Sequence, residues 1–157
     1  MESYERSLSN DGSYESKHPE LYKPDRQIFL DGILQSSSHG DEAYHEGLIH
    51  PAMITHPNPK RVAIIGGGEG ASLREVLKHK SLEKVVMIEI DKMMVDVSKQ
   101  YIPTWNSCED IQGSTKCCFD DPRAEIYYED ALAWFIDRYN NGGEGLEKFD
   151  VIIMDAL

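Results

Sequence analysis

The sequence predicts an α/β fold with a parallel, Rossmann-like sheet of the methyltransferase type, and three observations lead to that class. From residue 61 onwards, short apolar runs alternate with helix-like segments of about ten residues, which is typical of βαβ units. A glycine-rich turn, residues 66–70, directly follows the first apolar run. Each run also ends at or beside a carboxylate, at the sheet edge where open α/β sheets bind their ligands.

The elements are predicted in order along the chain. Residues 1–24 are polar and aperiodic, and we expect a flexible tail there. Residues 25–60 should contain a β-hairpin that turns at Asp31-Gly32 and a helix at 41–54. Beyond them the pattern predicts strands at 61–66, 84–90, 124–129 and 149–155, in a 3-2-1-4 order, with helices at 70–80, 91–102 and 130–139 between them.

The last predicted strand lies close to the end of the sequence. Its apolar run VIIM is typical of a strand that is covered on both faces, and nothing after it could provide the cover. We therefore expect residues 61–157 to be the N-terminal part of a larger Rossmann-like domain, with an incomplete sheet.

Composition narrows the classes of ligand and location. A formal net charge of −12 argues against non-specific binding to nucleic acid or an anionic membrane, and it suits a cationic small ligand. The sequence shows neither a transmembrane helix nor a secretory signal. Cys108, Cys117 and Cys118 form no CxxC motif, so we expect reduced thiols, no metal site and a cytoplasmic protein.

The acids at the strand ends indicate a nucleoside site. Gly66 and Gly68 would allow a tight turn and a close approach of the ligand, and Glu89, about twenty residues later, could accept hydrogen bonds from both ribose hydroxyls. Asp130 follows the third strand and could accept a hydrogen bond from an adenine amine. Glu69 would repel the pyrophosphate of NAD, which favours S-adenosylmethionine or a relative. The alternative is a glycine turn that only packs a helix on a strand.

Four stretches carry a resemblance to a known family: LDGILQS, AYHEGLIHPAM, HPNPKRVAIIGGGEGASLREVLKHKSLEKVVMIEID and FDVIIMDAL. They resemble the polyamine aminopropyltransferases, the family of spermidine and thermospermine synthases, from about residue 27 to residue 157. That family transfers an aminopropyl group from decarboxylated S-adenosylmethionine to putrescine or spermidine and releases methylthioadenosine. The resemblance implies this donor as co-substrate, no prosthetic group, a polyamine as second substrate, and a dimeric or tetrameric full-length protein.

The resemblance also implies roles for particular residues. Asp155 matches the first acid of the family's Asp-x-x-Asp-Pro motif and would be catalytic, with Tyr44 supporting the amine. The implied donor-binding residues are Gln35, His45, Gly66, Gly68, Glu69, Glu89, Asp130 and Ala131. Ala156 and Leu157 depart from the Ser-Ser that is common in spermidine synthases, and only a remnant hairpin stands where the family has an N-terminal β domain.

The physical chemistry of the reaction agrees with these roles. The decarboxylated donor carries an amine and a sulfonium, so Glu69 would attract it and repel the carboxylate of ordinary S-adenosylmethionine. The acceptor amine must lose a proton before it attacks, and Asp155 could take that proton. A methyltransferase, an NAD enzyme and a non-catalytic fragment stay open as alternatives. Tyr44 and His45 could also be packing residues, and Asp155 could cap a helix.

Overall fold

A computed structural model describes residues 25–140, residue 145 and residues 148–156. The described chain divides after Ser37 into a hairpin unit and an α/β unit. The tail predicted at residues 1–24 lies outside the described residues. No helix within the described ranges is long and apolar enough to cross a bilayer.

The hairpin unit consists of two antiparallel strands, β1 (Gln27–Leu30) and β2 (Ile33–Ser37). Asp31 and Gly32 form the turn between them, with φ angles of 49° and 80°. Two successive residues with positive φ are the geometry of the turn that an Asp-Gly pair favours between two strands. The predicted hairpin is therefore confirmed, together with its turn.

The α/β unit contains the predicted helices and strands in the predicted order. They are α1 (Asp41–Thr55), β3 (Arg61–Gly66), α2 (Ala71–Leu77), β4 (Lys84–Glu89), α3 (Lys92–Tyr101), β5 (Ala124–Tyr128), α4 (Ala131–Phe135) and β6 (Val151–Asp155). A single π-helical turn, Ile136–Asn140, extends α4. Pro51 lies inside α1 without ending it. The last strand begins at Val151 instead of residue 149, because the Asp150 carboxylate accepts hydrogen bonds from the backbone N–H groups of Lys60 and Arg61.

The four strands of this unit pair in parallel in the order β5-β4-β3-β6, which confirms the predicted order. β6 pairs only with β3 among the described strands, and its register places Asp155 beside Gly66. Ile152 and Met154 point away from the core and are 55% and 65% exposed. This order brings the end of β6 directly against the glycine turn that follows β3.

The core lies on both faces of the sheet. Successive side chains of a strand point to opposite faces, so Val85 and Met87 of β4 join one cluster while Val86 and Ile88 join the other. The first cluster packs the sheet against α1 and α2 through Ile49, Met53, Leu73, Val76 and Leu77. The second packs it against Trp134 of α4. The helices thus hold the strand ends in fixed positions.

The long polar connection between α3 and β5 is more ordered than the sequence indicated. Cys108 and Cys118 form a disulfide with a Cα–Cα distance of 5.2 Å, so the expectation of three reduced thiols is wrong. Backbone hydrogen bonds from Cys108 to Lys116 and from Cys118 to Asn106, both 2.9 Å long, fold the loop back on itself and bring the two cysteines together. Cys117 is the free thiol.

Candidate functional site

The glycine turn after β3 is shaped by close approaches that only glycine permits. Gly66 and Gly67 have φ angles of 82° and 80°, in the region that side chains disfavour. A Cβ atom on Gly66 would overlap the backbone of Asp155. A Cβ atom on Gly68 would lie 2.7 Å from Met94 Cγ and 3.0 Å from Glu89 Oε2. The turn is therefore packed tightly between β6 on one side and the end of β4 on the other.

His45 and Glu69 form a buried contact between α1 and this turn. His45 is 1% exposed, and its Nε2 lies 3.0 Å from Glu69 Oε1. Its Nδ1 lies 2.6 Å from the backbone carbonyl oxygen of Asp41. A carbonyl can only accept a hydrogen bond, so Nδ1 donates to Asp41, and the Glu69 carboxylate beside Nε2 favours the protonated ring. Burial opposes the charge, but these hydrogen bonds outweigh it and raise the pKa of His45.

Asp155 ends β6 and completes an acidic cluster with these residues. Its Oδ2 accepts a hydrogen bond of 2.6 Å from the Ser72 hydroxyl. Burial, followed by the negative charge of Glu69, raises the pKa of Asp155 from 3.8 to about 6. A carboxylate with a pKa near neutrality can both accept and release a proton at physiological pH. His45, Glu69 and Asp155 each present a nitrogen or carboxylate oxygen within 4.8 Å of the others, so the three side chains form one cluster.

Tyr44 lies beside this cluster on α1. Its ring packs edge-on against His45 with the centroids 4.9 Å apart, and the residue is 58% exposed. Partial burial and the charges of Asp155 and Glu69 raise the pKa of Tyr44, because the ionised phenolate would be repelled by both carboxylates. The structure thus brings Tyr44 to the same sheet edge as Asp155, with its hydroxyl kept neutral.

Glu89 and Asp130 occupy the ends of the neighbouring strands. Glu89 is buried, and its Oε1 accepts a hydrogen bond of 2.9 Å from the backbone N–H of Asp91. Asp130 is exposed and is the N-cap of α4, where Oδ1 accepts a hydrogen bond of 2.9 Å from Ala133 N. Ala131 begins α4 and is half-buried. The roles predicted for these residues towards ribose and adenine stay predictions.

Gln35 lies in the hairpin unit. It belongs to β2, is half-buried, and its Nε2 donates a hydrogen bond of 3.4 Å to the Ile33 carbonyl. Its role towards the donor also stays a prediction.

Three residues that the sequence analysis missed hold the cluster through hydrogen bonds. Ser72 binds Asp155, as described above. Arg74 is buried and donates from Nη1 to Asp41 Oδ2, at 3.1 Å, and to the carbonyl oxygens of Thr104 and Trp105. Asp41 in turn holds His45 through its own carbonyl. Two features of the sequence could have pointed to these residues: Asp41 is an acid four residues before His45, and Ser72 has a hydroxyl two residues beyond the glycine turn.

A second group of side chains has the spacing of metal ligands. Glu46, His50 and Glu75 present ligand atoms within 4.8 Å of one another, between α1 and α2. The Lys78 ammonium, however, already lies 2.7 Å from Glu75 Oε2. The buried carboxylate is thus neutralised by a lysine, and the cluster holds the two helices together.

The fold and the site together define a class of protein. The chain is an α/β protein with a parallel sheet, a glycine turn that contains Glu69 and no cationic residue, and a buried acid, Glu89, at the end of the next strand. Residues 41–157 match the family model described as Spermine/spermidine synthase domain, and the chain belongs to that family. The resemblance seen in the sequence is confirmed.

Curated relatives and solved structures support the same assignment. The chain is 48% identical over 130 residues to polyamine aminopropyltransferase 1 of Hyperthermus butylicus, covering 83% of this chain and 40% of that protein. It is 43% identical over 140 residues to the polyamine aminopropyltransferase of Thermococcus onnurineus, covering 87% of this chain and 44% of that protein. The chain thus spans less than half the length of these relatives.

Spermidine synthase from Thermotoga maritima matches the fold with a TM-score of 0.66 and 40% identity, covering 82% of this chain and 39% of that chain. A spermidine synthase in complex with the transition-state analogue AdoDATO matches with the same TM-score and identity, covering 82% of this chain and 38% of that chain. The predicted fold class is confirmed.

Proposed function

We propose that the full-length protein is a polyamine aminopropyltransferase. It would transfer the aminopropyl group of decarboxylated S-adenosylmethionine to putrescine or spermidine and release methylthioadenosine. The observation that carries this proposal is the carboxylate of Glu69, which lies inside a nucleoside-type glycine turn and within reach of Asp155. Relatives that are named polyamine aminopropyltransferases support the same reaction.

Glu69 would select the donor. The site brings together the carboxyl groups of Glu69, Glu89 and Asp155, and a protonated His45 would offset the charge of only one of them. The remaining negative charge favours a ligand that carries both an ammonium and a sulfonium. It disfavours ordinary S-adenosylmethionine, whose carboxylate would approach these acids.

Asp155 would prepare the amine for attack. An alkylamine is protonated at neutral pH, with a pKa of about 10, and a cation is drawn to the acidic cluster. The amine passes a proton to Asp155, and its free electron pair attacks the carbon next to sulfur. As the carbon–nitrogen bond forms, the carbon–sulfur bond breaks, its electron pair stays on sulfur, and neutral methylthioadenosine leaves. Tyr44 would support the amine through its neutral hydroxyl, and most of the rate would come from holding nitrogen, carbon and sulfur in line.

The remaining predicted residues would hold the nucleoside. Glu89 would accept hydrogen bonds from the ribose, and Gly68, whose missing side chain leaves room for the Glu89 carboxylate and for Met94, would lie close to the ligand in the glycine turn. Asp130 and Ala131 would contact adenine beyond β5, and Gln35 would contact the donor. We also propose a homo-oligomer, a dimer or tetramer, without a prosthetic group. A cytoplasmic location stays a prediction that rests on the absence of a secretory signal in the sequence, because the Cys108–Cys118 disulfide removes the argument from reduced thiols.

The acceptor could be putrescine or spermidine. The sequence Asp155-Ala156-Leu157 departs from the spermidine synthase pattern, which, together with Glu69, favours a thermospermine synthase-like activity on spermidine. An assay of the full-length protein with decarboxylated donor and a panel of amines tests both the reaction and the acceptor. Release of methylthioadenosine that depends on an amine is the expected result, and methyl transfer from S-adenosylmethionine instead would overturn the proposal.

Donor selection is tested by Glu69→Gln. The variant should bind the decarboxylated donor more weakly and should narrow the gap in affinity between it and S-adenosylmethionine, as measured by calorimetry. Glu83→Gln is the matched control, because Glu83 is an exposed acid that pairs with Lys60 away from the glycine turn. An unchanged donor preference in Glu69→Gln would show that Glu69 is not the selecting group.

A further inference from the structure

We propose that Ser72 is a positioning residue for Asp155, which holds one carboxylate oxygen so that the other faces the attacking amine. The inference rests on the proposed role of Asp155 as the base. It adds to the site a residue of α2, an element from which the sequence predicted no site residue.

The position of Ser72 carries this inference. Ser72 is the second residue of α2 and is 0% exposed. Its hydroxyl lies 2.6 Å from Asp155 Oδ2, across a sequence separation of 83 residues. A buried hydroxyl costs free energy unless it finds a partner, and here the partner is the carboxylate at the end of β6.

The glycine turn leaves room for Asp155 Oδ2 in this place. A Cβ atom built on Gly67 would lie 2.9 Å from this oxygen, so a side chain there would displace the carboxylate. The hydrogen bond from Ser72 fixes Oδ2 beside Gly67. Among the described residues, Oδ1 is then the oxygen that remains for an incoming ammonium.

The charges around Asp155 explain why a neutral donor is useful there. Glu69 in the glycine turn and Glu89 at the end of β4 disfavour the ionised carboxylate, whereas protonated His45 of α1 favours it. Tyr44 of α1 faces the same group with a neutral hydroxyl. Ser72 stabilises the ionised form through a charge-assisted hydrogen bond without adding a charge that would repel the cationic substrates.

The test compares Ser72→Ala with wild type in the full-length protein. Loss of the hydroxyl should move the acid limb of the kcat/KM profile to higher pH by about one to two units, because a hydrogen bond to a charged group stabilises the ionised form by that amount. The turnover number should fall while the KM for the donor stays nearly constant. Ser72→Thr, which keeps a hydroxyl, should restore the wild-type pH profile.

Ser98→Ala is the matched control. Ser98 is also 0% exposed, but its hydroxyl has no hydrogen-bond partner among the described residues. Its replacement removes the same atoms from a buried helix position, and the pH profile should not change. A Ser72→Ala profile that superimposes on wild type would overturn the inference, even where Asp155→Asn shows that Asp155 is essential.

A second measurement separates this inference from the proposed function. Carbon-13 NMR of the aspartate carboxyl groups follows the titration of Asp155 directly and needs no turnover. Asp155 should titrate about one to two pH units higher in Ser72→Ala, and also higher in Ser72→Cys, whose thiol is a weak donor. Should the alanine variant fail to fold, the cysteine variant decides, and an unchanged titration there refutes the role of Ser72.

Discussion

Replacing Asp155 with asparagine should make the protein more stable and nearly inactive at the same time. The folded protein raises the pKa of Asp155 from 3.8 to about 6, through burial and the neighbouring charge of Glu69. The ionised carboxylate is therefore less favourable in the folded state than in the unfolded state. Asparagine has the same shape and can still accept the hydrogen bond from Ser72, but it carries no charge.

The sign and size of the stability effect follow from the two pKa values. Below 3.8 the carboxyl group is protonated in both states, and the stability is not reduced. Between 3.8 and about 6 only the unfolded state ionises, so the stability falls as the pH rises. The difference between the two pKa values corresponds to about 3 kcal/mol of folding stability, and all of this stability is lost at pH values above the folded-state pKa.

Urea denaturation at several pH values would measure the effect. The stability gain of Asp155→Asn should be about 3 kcal/mol near pH 8 and roughly half of that near pH 5. Turnover in the aminopropyl-transfer assay should fall by about 10²–10⁴, the usual contribution of a general base. Binding of the donor should be nearly intact, because Glu69 and Glu89 are unchanged.

Asp150→Asn is a control in which the change in folding stability should have the opposite sign. Asp150 accepts hydrogen bonds from the backbone N–H groups of Arg61 and Lys60, which lower its pKa. Its replacement should therefore destabilise the protein, increasingly so as the pH rises through the acidic range. A stability gain of Asp155→Asn that does not vary with pH would refute the electrostatic reasoning, and wild-type turnover would exclude Asp155 as the base.

Three further predictions concern the ribose contact, the disulfide and the sheet edge. Glu89→Ala should weaken methylthioadenosine binding at least tenfold, through loss of charge-assisted hydrogen bonds of about 1.5–3 kcal/mol each, and a change below twofold in calorimetry would contradict this role. Reduction of the Cys108–Cys118 disulfide should destabilise the protein by about 3 kcal/mol, because it frees a loop of about ten residues in the unfolded state. Thermal melts would measure this effect, and an unchanged melting temperature would argue against the bond. Residues 1–157 expressed alone should self-associate, because Ile152 and Met154 are exposed on the edge strand β6, and a monomer by light scattering with steady turnover would show this prediction to be wrong.

The sequence by itself determined the fold class and most of the strand ends. Alternating apolar runs and helical segments fixed the β-α order, because these patterns depend only on the local repeat of each element. The glycine turn and the acids Glu69, Glu89, Asp130 and Asp155 could be found because a parallel sheet brings the carboxyl ends of its strands to one edge. The sequence motifs also indicated the family, and the match to the family model confirmed it.

Only the tertiary structure decided how these residues interact. The register of β6 against β3 sets Asp155 beside Gly66, and the packing of α1 places His45 against Glu69. Ser72 and the Cys108–Cys118 pair escaped prediction because their partners are set by the path of the chain through space. A hydrogen bond across 83 residues or a disulfide within a folded-back loop has no periodic signal in the sequence. The raised pKa of Asp155 likewise depends on burial and on the charges of Glu69 and Glu89, which surround it only once the chain is folded.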